Sequence, residues 1–458
     1  MENLRLYVVT YNVGTSTPEQ NLNSLLSLPD SKHDKNLPDF YVVALQEVKA
    51  QPHNLLASAL FDDPWTNECK EVLAKRSYVK LKTIRLQGLI LSTFCLRKHL
   101  LNIRDVEADY TRTGLSGMWG NKGAVSIRLS IYGCSICFVN SHLSAHDHML
   151  KARIDDYDSI LKDQHFHVDA HSEIFFHDYV FWMGDLNFRL LEELEMSLEE
   201  IVARVKKGEY QKLFEYDQLR YVMKKGDAFT ELQEGDITFA PTFKFEVESS
   251  FYDCKRRPAW TDRILYKVNP NNYDNIKLKI QQNSYKSHPE YSLSDHKPVT
   301  SDFTIKMVRS KIVTDSTARG VKVFADYAEE VVQFKDIEFW WAEEDNCVTY
   351  SITKEITKTK EDWIGVFKNN FISLDDYIIY EYVYKNASPV VLPKQASHSR
   401  STVQPTEYTV RFSELDFKGK DELYQLVYFS ETEDKVQSVL GISKPFALRE
   451  KRTNSAID

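Results

Sequence analysis

Cysteine is scarce in this chain: Cys69, Cys95, Cys134, Cys137, Cys254 and Cys347 are the six among 458 residues. So few in a chain this long do not make a disulfide scaffold, and they point to a reduced, cytoplasmic setting. Glycine and proline number only 15 and 14, which excludes collagen-like and linker-dominated chains. No apolar run approaches the roughly 20 residues that span a bilayer, so no transmembrane segment is expected. An excess of basic charge is missing too. Lys and Arg total 58 against 67 Asp and Glu, a net charge of −9. A protein that coats nucleic acid leans basic, so no nucleic-acid partner is expected. The first residues, Met1-Glu2-Asn3-Leu4-Arg5-Leu6, have no basic stretch before an apolar core, and no secretory signal is read there. The last, Asn454-Ser455-Ala456-Ile457-Asp458, carry no prenylation box. Any membrane contact is expected to be peripheral.

Apolar residues make up 42% and charged residues 27%, a globular balance long enough for two to four domains. Short apolar runs predict strands at Leu4–Val9, Phe40–Leu45, Gly88–Leu96, Ala124–Ile131, Ser135–Asn140, Tyr179–Met183, Arg263–Lys267 and Pro298–Ile305. Helical spacing falls between them at Glu19–Leu28, Met149–Leu161, Ser197–Lys206 and Tyr210–Met223. Interleaving over some 300 residues argues for packed sheets covered by helices. The polar stretch Arg309–Gly320 reads as a linker. Beyond it, strand-like runs recur at Phe334–Trp341, Cys347–Ile352, Trp363–Phe367, Tyr377–Tyr384 and Tyr424–Phe429, which suggests a β-sandwich interrupted by a loop at Asn386–Pro405. From residue 311 onward there are 19 basic and 25 acidic residues, a net charge of −6.

Polar residues gather at strand ends. Runs finish in Tyr11-Asn12, Gln46-Glu47, Asn140-Ser141-His142 and Gly184-Asp185-Leu186-Asn187, and Ser294-Asp295-His296 precedes another. A sheet holds side chains from several strand ends rigidly, so these make a plausible site for one hard metal ion and one water. Each taken singly is an ordinary solvated cap or a hydrogen-bonded structural histidine.

Longer strings carry a resemblance. Arg112-Thr113-Gly114-Leu115-Ser116-Gly117-Met118-Trp119-Gly120-Asn121-Lys122-Gly123, Gly184-Asp185-Leu186-Asn187-Phe188-Arg189, Arg257-Pro258-Ala259-Trp260-Thr261-Asp262-Arg263-Ile264-Leu265-Tyr266 and Ser294-Asp295-His296-Lys297-Pro298-Val299 occur in that order. They resemble the motifs of the inositol polyphosphate 5-phosphatases. Asp362-Trp363-Ile364-Gly365-Val366-Phe367-Lys368, Tyr424-Gln425-Leu426-Val427-Tyr428 and Ser443-Lys444-Pro445-Phe446 resemble the SKICH module. The combination is similar to the SKIP and proline-rich 5-phosphatase subgroup.

The resemblance implies a four-layer α/β sandwich of the DNase I and apurinic-endonuclease type over 1–308, a linker at 309–320, an immunoglobulin-like SKICH β-sandwich at 321–448 and a tail at 449–458. It implies Mg²⁺-dependent removal of the 5-phosphate from phosphatidylinositol 4,5-bisphosphate and 3,4,5-trisphosphate. Partners would be phosphoinositides at a membrane surface and an unidentified protein, bound through SKICH, that recruits the chain to the plasma membrane or endoplasmic reticulum.

Carried onto this chain, the resemblance gives Glu47 and Asn12 to the metal. It gives Asp185 to the attacking water, with Asn187 two residues on, facing the same side of an extended segment. His296 would contact the scissile phosphate with Asp262 on its other nitrogen, Asp295 would lie near the metal, and His142 would stabilise the transition state. Asn121, Lys122, Lys244, Lys255, Arg256 and Arg263 would grip substrate phosphates. The family often has Tyr where Phe243 stands and Trp where Tyr11 stands; the first change removes a hydroxyl that could touch a phosphate.

Other signals are set aside. Cys134 and Cys137 lie in one strand, where i and i+3 face opposite sides. His146, His148, His165, His167, His171 and His177 read as ordinary surface histidines. Trp340, Trp341, Trp363 and Tyr377 read as sandwich core. The absence of a His-Cys-x5-Arg loop disfavours a cysteine nucleophile. Two alternatives stay open: a nuclease on the same fold, and a catalytically silent SKICH adaptor.

Overall fold

The structure, a computed structural model, describes residues 3–29, 37–49, 63–113, 122–253, 255–273, 276–308, 330–342, 344–353, 356, 358–389, 407–413 and 422–450. Asn121 and the 309–320 linker lie outside the described residues. The chain divides into two compact units, one of Met1–Arg97 with Glu107–Asp326 and one of Lys98–Val106 with Tyr327–Asp458.

In the first unit, β1 (Asn3–Asn12), β2 (Phe40–Gln46), β3 (Tyr78–Leu86), β4 (Leu89–Leu96), β10 (Ile280–Ser287) and β11 (Val299–Lys306) form one sheet in the order β10-β11-β1-β2-β4-β3. The part of β5 (Ile103–Thr113) from Glu107 onward, β6 (Lys122–Ile131), β7 (Cys134–His142), β8 (Tyr179–Asp185) and β9 (Asp262–Val268) lie in that order in a second. Strand alternation sorts their side chains. Tyr7, Val9 and Tyr11 of β1 face outward and pack with Leu22, Leu25, Trp65 and Leu73, the last two on α1 (Pro64–Ala74). Cys137, Val139, Val180, Trp182 and Leu265 face outward from the second sheet onto Tyr157 and Ile160 of α2 (Leu150–Asp163) and Leu219 and Val222 of a later helix (Gln218–Lys225). Their alternates meet between the sheets, where Phe40 stacks on Phe138 at 6.4 Å and Phe181 meets Phe303 edge-on at 5.0 Å. Helix, sheet, sheet, helix is the four-layer sandwich.

Two helical expectations change. Glu19–Leu28 is a run of turns: Asn21 Oδ1 accepts the N–H of Asn23, and Ser27 has φ +49°, so short polar side chains compete with the helix for backbone groups. Its leucines are nevertheless buried. Tyr210–Met223 is split into α4 (Gln211–Phe214) and α5 (Gln218–Lys225), because Asp217 takes an extended conformation and caps Arg220 N–H at 3.0 Å; upstream, α3 spans Leu198–Lys206.

The second unit packs β12 (Val332–Phe334), β14 (Asn346–Ile352), β18 (Glu407–Phe412) and β17 (Ala387–Pro389) as one sheet. Its other sheet contains β13 (Phe339–Trp341), β15 (Trp363–Lys368), β16 (Tyr377–Tyr382), β19 (Leu423–Glu431), β20 (Gln437–Ile442) and β21 (Phe446–Arg449). Trp340, Val348, Tyr350, Ile364, Val366, Val410, Phe412, Leu426 and Tyr428 fill the core between them. The predicted run Phe334–Trp341 is thus two short strands in different sheets. No helix among the described residues is long and apolar enough to cross a membrane.

Candidate active site

The carboxyl ends of β1, β2, β7 and β8 bring Asn12, Glu47, His142 and Asp185 to one place, because all four lie on or just beyond the inward-facing side of their strands. Parallel pairing puts His142 directly beside Asp185, and antiparallel pairing puts Asp185 beside Asp262 at the start of β9. Gly184 has φ +144°, and a Cβ there would meet the carbonyl oxygen of Ser141 at 1.9 Å. Only glycine lets the two strands close at the step that delivers Asp185.

Asp185 is the hub. Its Oδ2 accepts from Asn12 Nδ2 at 3.0 Å and lies 3.1 Å from His142 Nε2 and 3.8 Å from His296 Nε2. Burial favours the neutral acid, but the charges of His296, His142 and Lys122 override it and hold the carboxyl well below the usual range. Glu47, one-third exposed and at φ +56°, points its Oε1 to within 3.8 Å of His142 Nε2. Burial, then the ammonium of Lys122 in contact with Nε2, push the His142 imidazole towards its neutral form. Its Nδ1 is buried without a partner.

His296 is held differently. Its Nδ1 donates to Asp262 Oδ2 at 2.9 Å, and that carboxylate also accepts from Thr242 Oγ1 at 2.7 Å and Thr261 Oγ1 at 2.9 Å. Burial disfavours the imidazolium, yet Asp262 and Asp185 outweigh it and raise its pKa to about 9. Asp185, Asp262 and His296 offer ligand atoms within 4.8 Å of one another. Nδ1 is committed to Asp262; the one-third-exposed carboxylate of Glu47, near His142, is a group of the oxygen type that a hard divalent ion takes.

The remaining residues from the motifs are placed less uniformly. Asn187 has φ +57°, so it is not on an extended segment; its Nδ2 donates to Leu143 O at 3.0 Å and its Oδ1 accepts from Arg189 Nη2 at 2.5 Å. Asp295 is partly exposed, 3.7 Å from Lys244 Nζ, which is also 3.8 Å from Asp253. Lys255 and Arg256 are exposed on the turn that Asp253 closes. Arg263 departs from its expected place. Its side chain is fully buried and its guanidinium binds Asp217 at 3.0 Å and Glu234 at 2.7 Å, which leaves nothing for a substrate. It follows Asp262 on one strand and therefore faces the opposite side, with Leu265.

Reasoning from the motifs missed three supports. Thr242 and Thr261 hold Asp262. Ser294 Oγ donates to Asn12 O at 2.7 Å and accepts His296 N–H at 3.1 Å, tying two site segments. Beneath the site, Gln46 Nε2 donates to Asn140 Oδ1 at 2.7 Å, and Asn140 Nδ2 donates to Leu45 O at 3.0 Å, a polar clasp between the sheets. Polar residues at inward-facing positions of apolar strands were the available signal.

Residues 9–302 match the endonuclease/exonuclease/phosphatase family 2, and residues 332–448 match the SKICH domain. The first match sets the class: a member of the endonuclease/exonuclease/phosphatase family. Inositol polyphosphate 5-phosphatase K of Mus musculus is 32% identical over 97% of this chain and 90% of its own length. Phosphatidylinositol 4,5-bisphosphate 5-phosphatase A of Mus musculus is 35% identical over 99% of this chain, which spans only 42% of that relative. A solved inositol polyphosphate 5-phosphatase domain of SPsynaptojanin, in complex with inositol (1,4)-bisphosphate and a calcium ion, superposes with a TM-score of 0.57 at 34% identity, covering 67% of this chain and 86% of that one. The chain belongs to the SKICH-bearing inositol polyphosphate 5-phosphatases. A Cimex nitrophorin solved as a ferrous NO complex also shares the fold, with a TM-score of 0.53 at 25% identity, 67% of this chain and 100% of that one covered. Fold alone therefore does not fix the chemistry, and the site must.

Proposed function

We propose that the chain is a magnesium-dependent phosphomonoesterase that removes the 5-phosphate of phosphatidylinositol 4,5-bisphosphate and phosphatidylinositol 3,4,5-trisphosphate, and of soluble inositol polyphosphates, by direct attack of water. The observation that carries this reading is the meeting of two differently tuned groups, an ionised Asp185 and a cationic His296, with Asn12 bonded to Asp185 and the Glu47 carboxylate near His142.

Glu47 and Asn12 would hold the ion, which when bound neutralises charge on the phosphate oxygens. Asp185 orients a water and accepts its proton; His296 donates from Nε2 to a phosphate oxygen while Nδ1 stays on Asp262. The water oxygen bonds to phosphorus as its proton passes to Asp185, the bond from phosphorus to the inositol oxygen breaks, and that oxygen takes a proton from solvent while Asp185 returns its own to solvent. His142 and Lys122 add donors next to Asp185. Lys244, Lys255 and Arg256 bring positive charge to one edge of the site, where further phosphates would sit. Asp295 sets the position of Lys244, and Asn187 that of Arg189. For the SKICH unit the reading is recruitment by a protein partner, since the net charge of −6 from residue 311 onward gives little attraction to anionic lipid.

The test is phosphate release from short-chain PtdIns(4,5)P2, PtdIns(3,4,5)P3, Ins(1,4,5)P3 and Ins(1,3,4,5)P4 at fixed Mg²⁺, run beside a plasmid-nicking assay. Release from the 5-phosphorylated inositides without nicking supports the reading. Nicking without release contradicts it.

A further inference from the structure

Phe243 is one of the least conspicuous residues of the site and touches two of its cations. Its ring centroid lies 4.5 Å from that of His296, the planes tilted by 39°. The guanidinium carbon of Arg189 lies over the same ring at 4.1 Å. All three are nearly enclosed: Phe243 is 8% exposed, Arg189 6% and His296 4%.

Each cation is incompletely fixed by its polar bonds. Arg189 donates through Nε to Asn187 O at 3.1 Å and through Nη2 to Asn187 Oδ1, and among the described residues it has no carboxylate within 4 Å. Its charge is balanced only at longer range, by Asp185, Asp147 and Asp262. The ring of His296 is tied at one nitrogen, Nδ1, to Asp262 (Oδ2 at 2.9 Å, Oδ1 at 3.2 Å) with Thr261 Oγ1 at 3.4 Å, while Nε2 has only Asp185 Oδ2 at 3.8 Å; the terminal torsion of an imidazole is broad, so anchoring at one nitrogen sets its position better than its plane. The π-face of an aromatic ring attracts cations, and a flat ring against the imidazole removes the remaining rotation.

We propose that Phe243 is a positioning residue: its ring, packed against both Arg189 and His296, fixes the plane of the imidazole and the place of the guanidinium, so that both cations are presented to the phosphate together. The inference rests on the 5-phosphatase reading of this site. It separates two properties of residue 243, the aromatic face that both cations use and the hydroxyl that tyrosine would add. A tyrosine keeps the face. Leucine and methionine keep most of the volume and lose it.

The test uses the full chain with Phe243→Tyr, Phe243→Leu and Phe243→Met, and reads two quantities. The first is kcat and KM on short-chain PtdIns(4,5)P2 with Mg²⁺. A slightly misplaced catalytic group costs on the order of 10–100-fold. Leu and Met should therefore lower kcat by about tenfold or more while KM moves less than about threefold, and Tyr should restore kcat to within about threefold. The second needs no turnover: the exchange lifetime of the His296 Nδ1–H proton, followed by histidine-selective ¹⁵N labelling. It should shorten in the Leu and Met variants and stay as in the parent with Tyr. Phe243→Leu combined with Arg189→Met should cost less than the sum of the two single changes, because the ring couples the two cations. Leu and Met variants with the parent kcat and proton lifetime overturn the proposal, as does a loss confined to KM. A parent chain that releases no phosphate contradicts the functional reading instead, and the proton lifetime then decides the positioning role by itself.

Discussion

The Nδ1 of His296 donates to Oδ2 of Asp262 across 2.9 Å, in a position where neither residue is more than 4% exposed. That one bond decides which nitrogen faces the site and keeps the imidazole charged. It also makes the first prediction one of pH. The pKa of His296 is raised to about 9 from 6.5, so the cation is present at neutral pH and lost as pH rises through about 9. Any stability the pair contributes follows the same sign, complete below pH 6.5 and lost through about 9. The alkaline limb of kcat/KM should fall near pH 9. Asp262→Asn removes the charge that opposes burial, so its limb should move below pH 7.5 and kcat at pH 7 should drop by about a hundredfold. A pH profile of the two proteins checks this.

Asp185→Asn should leave the fold intact and lower kcat by roughly 10³-fold, because the amide cannot accept the proton of the attacking water. Circular dichroism and phosphate release together measure it. Near-parent activity would remove Asp185 from its role.

Glu47→Gln should act on metal dependence before anything else. The carboxylate faces His142 at 3.8 Å and makes no buried ion pair that folding needs. The apparent Mg²⁺ concentration for half-maximal activity should rise at least about tenfold, with the melting temperature unchanged. A metal titration separates this from a general loss of kcat.

Arg263→Met should behave as a stability change. Its fully buried guanidinium compensates Asp217 and Glu234, and removing one partner of such a network costs about 3–5 kcal/mol. Urea unfolding should show the loss. A variant of unaltered stability with a raised KM would instead make Arg263 a substrate ligand.

How much of this was legible beforehand depends on the kind of signal. The strand ends carrying Asn12, Glu47, His142 and Asp185 could be read because apolar runs stop abruptly at polar residues, and alternation then places them on one face. The same alternation, applied to Asp262 and Arg263, sends them to opposite sides of β9; the motif grouped them and strand geometry separates them. Asn187 resisted because its positive φ breaks the extended segment that its spacing from Asp185 suggests. Glu19–Leu28 has helical spacing of leucines, but Asn21 and Ser27 divert the backbone into turns that bury them equally well. The strand Tyr78–Leu86 and the helix Pro64–Ala74 went unread: the strand mixes lysines and an arginine with its apolar residues, and the helix has a weakly apolar face. The roles of Thr242 and Phe243 are set by tertiary contact with residues 20 to 54 positions away, which no local pattern encodes, and that of Thr261 by the turn of its hydroxyl onto the adjacent Asp262.

The most direct test of the central claim is ³¹P analysis of the products from short-chain PtdIns(4,5)P2, with and without Mg²⁺, for the parent chain and Asp185→Asn. Inorganic phosphate with phosphatidylinositol 4-phosphate as the lipid product, formed only by the parent and only with the metal, is the predicted result. Loss of the 4-phosphate, turnover that persists after the metal is chelated, or an equally active Asp185→Asn would contradict it.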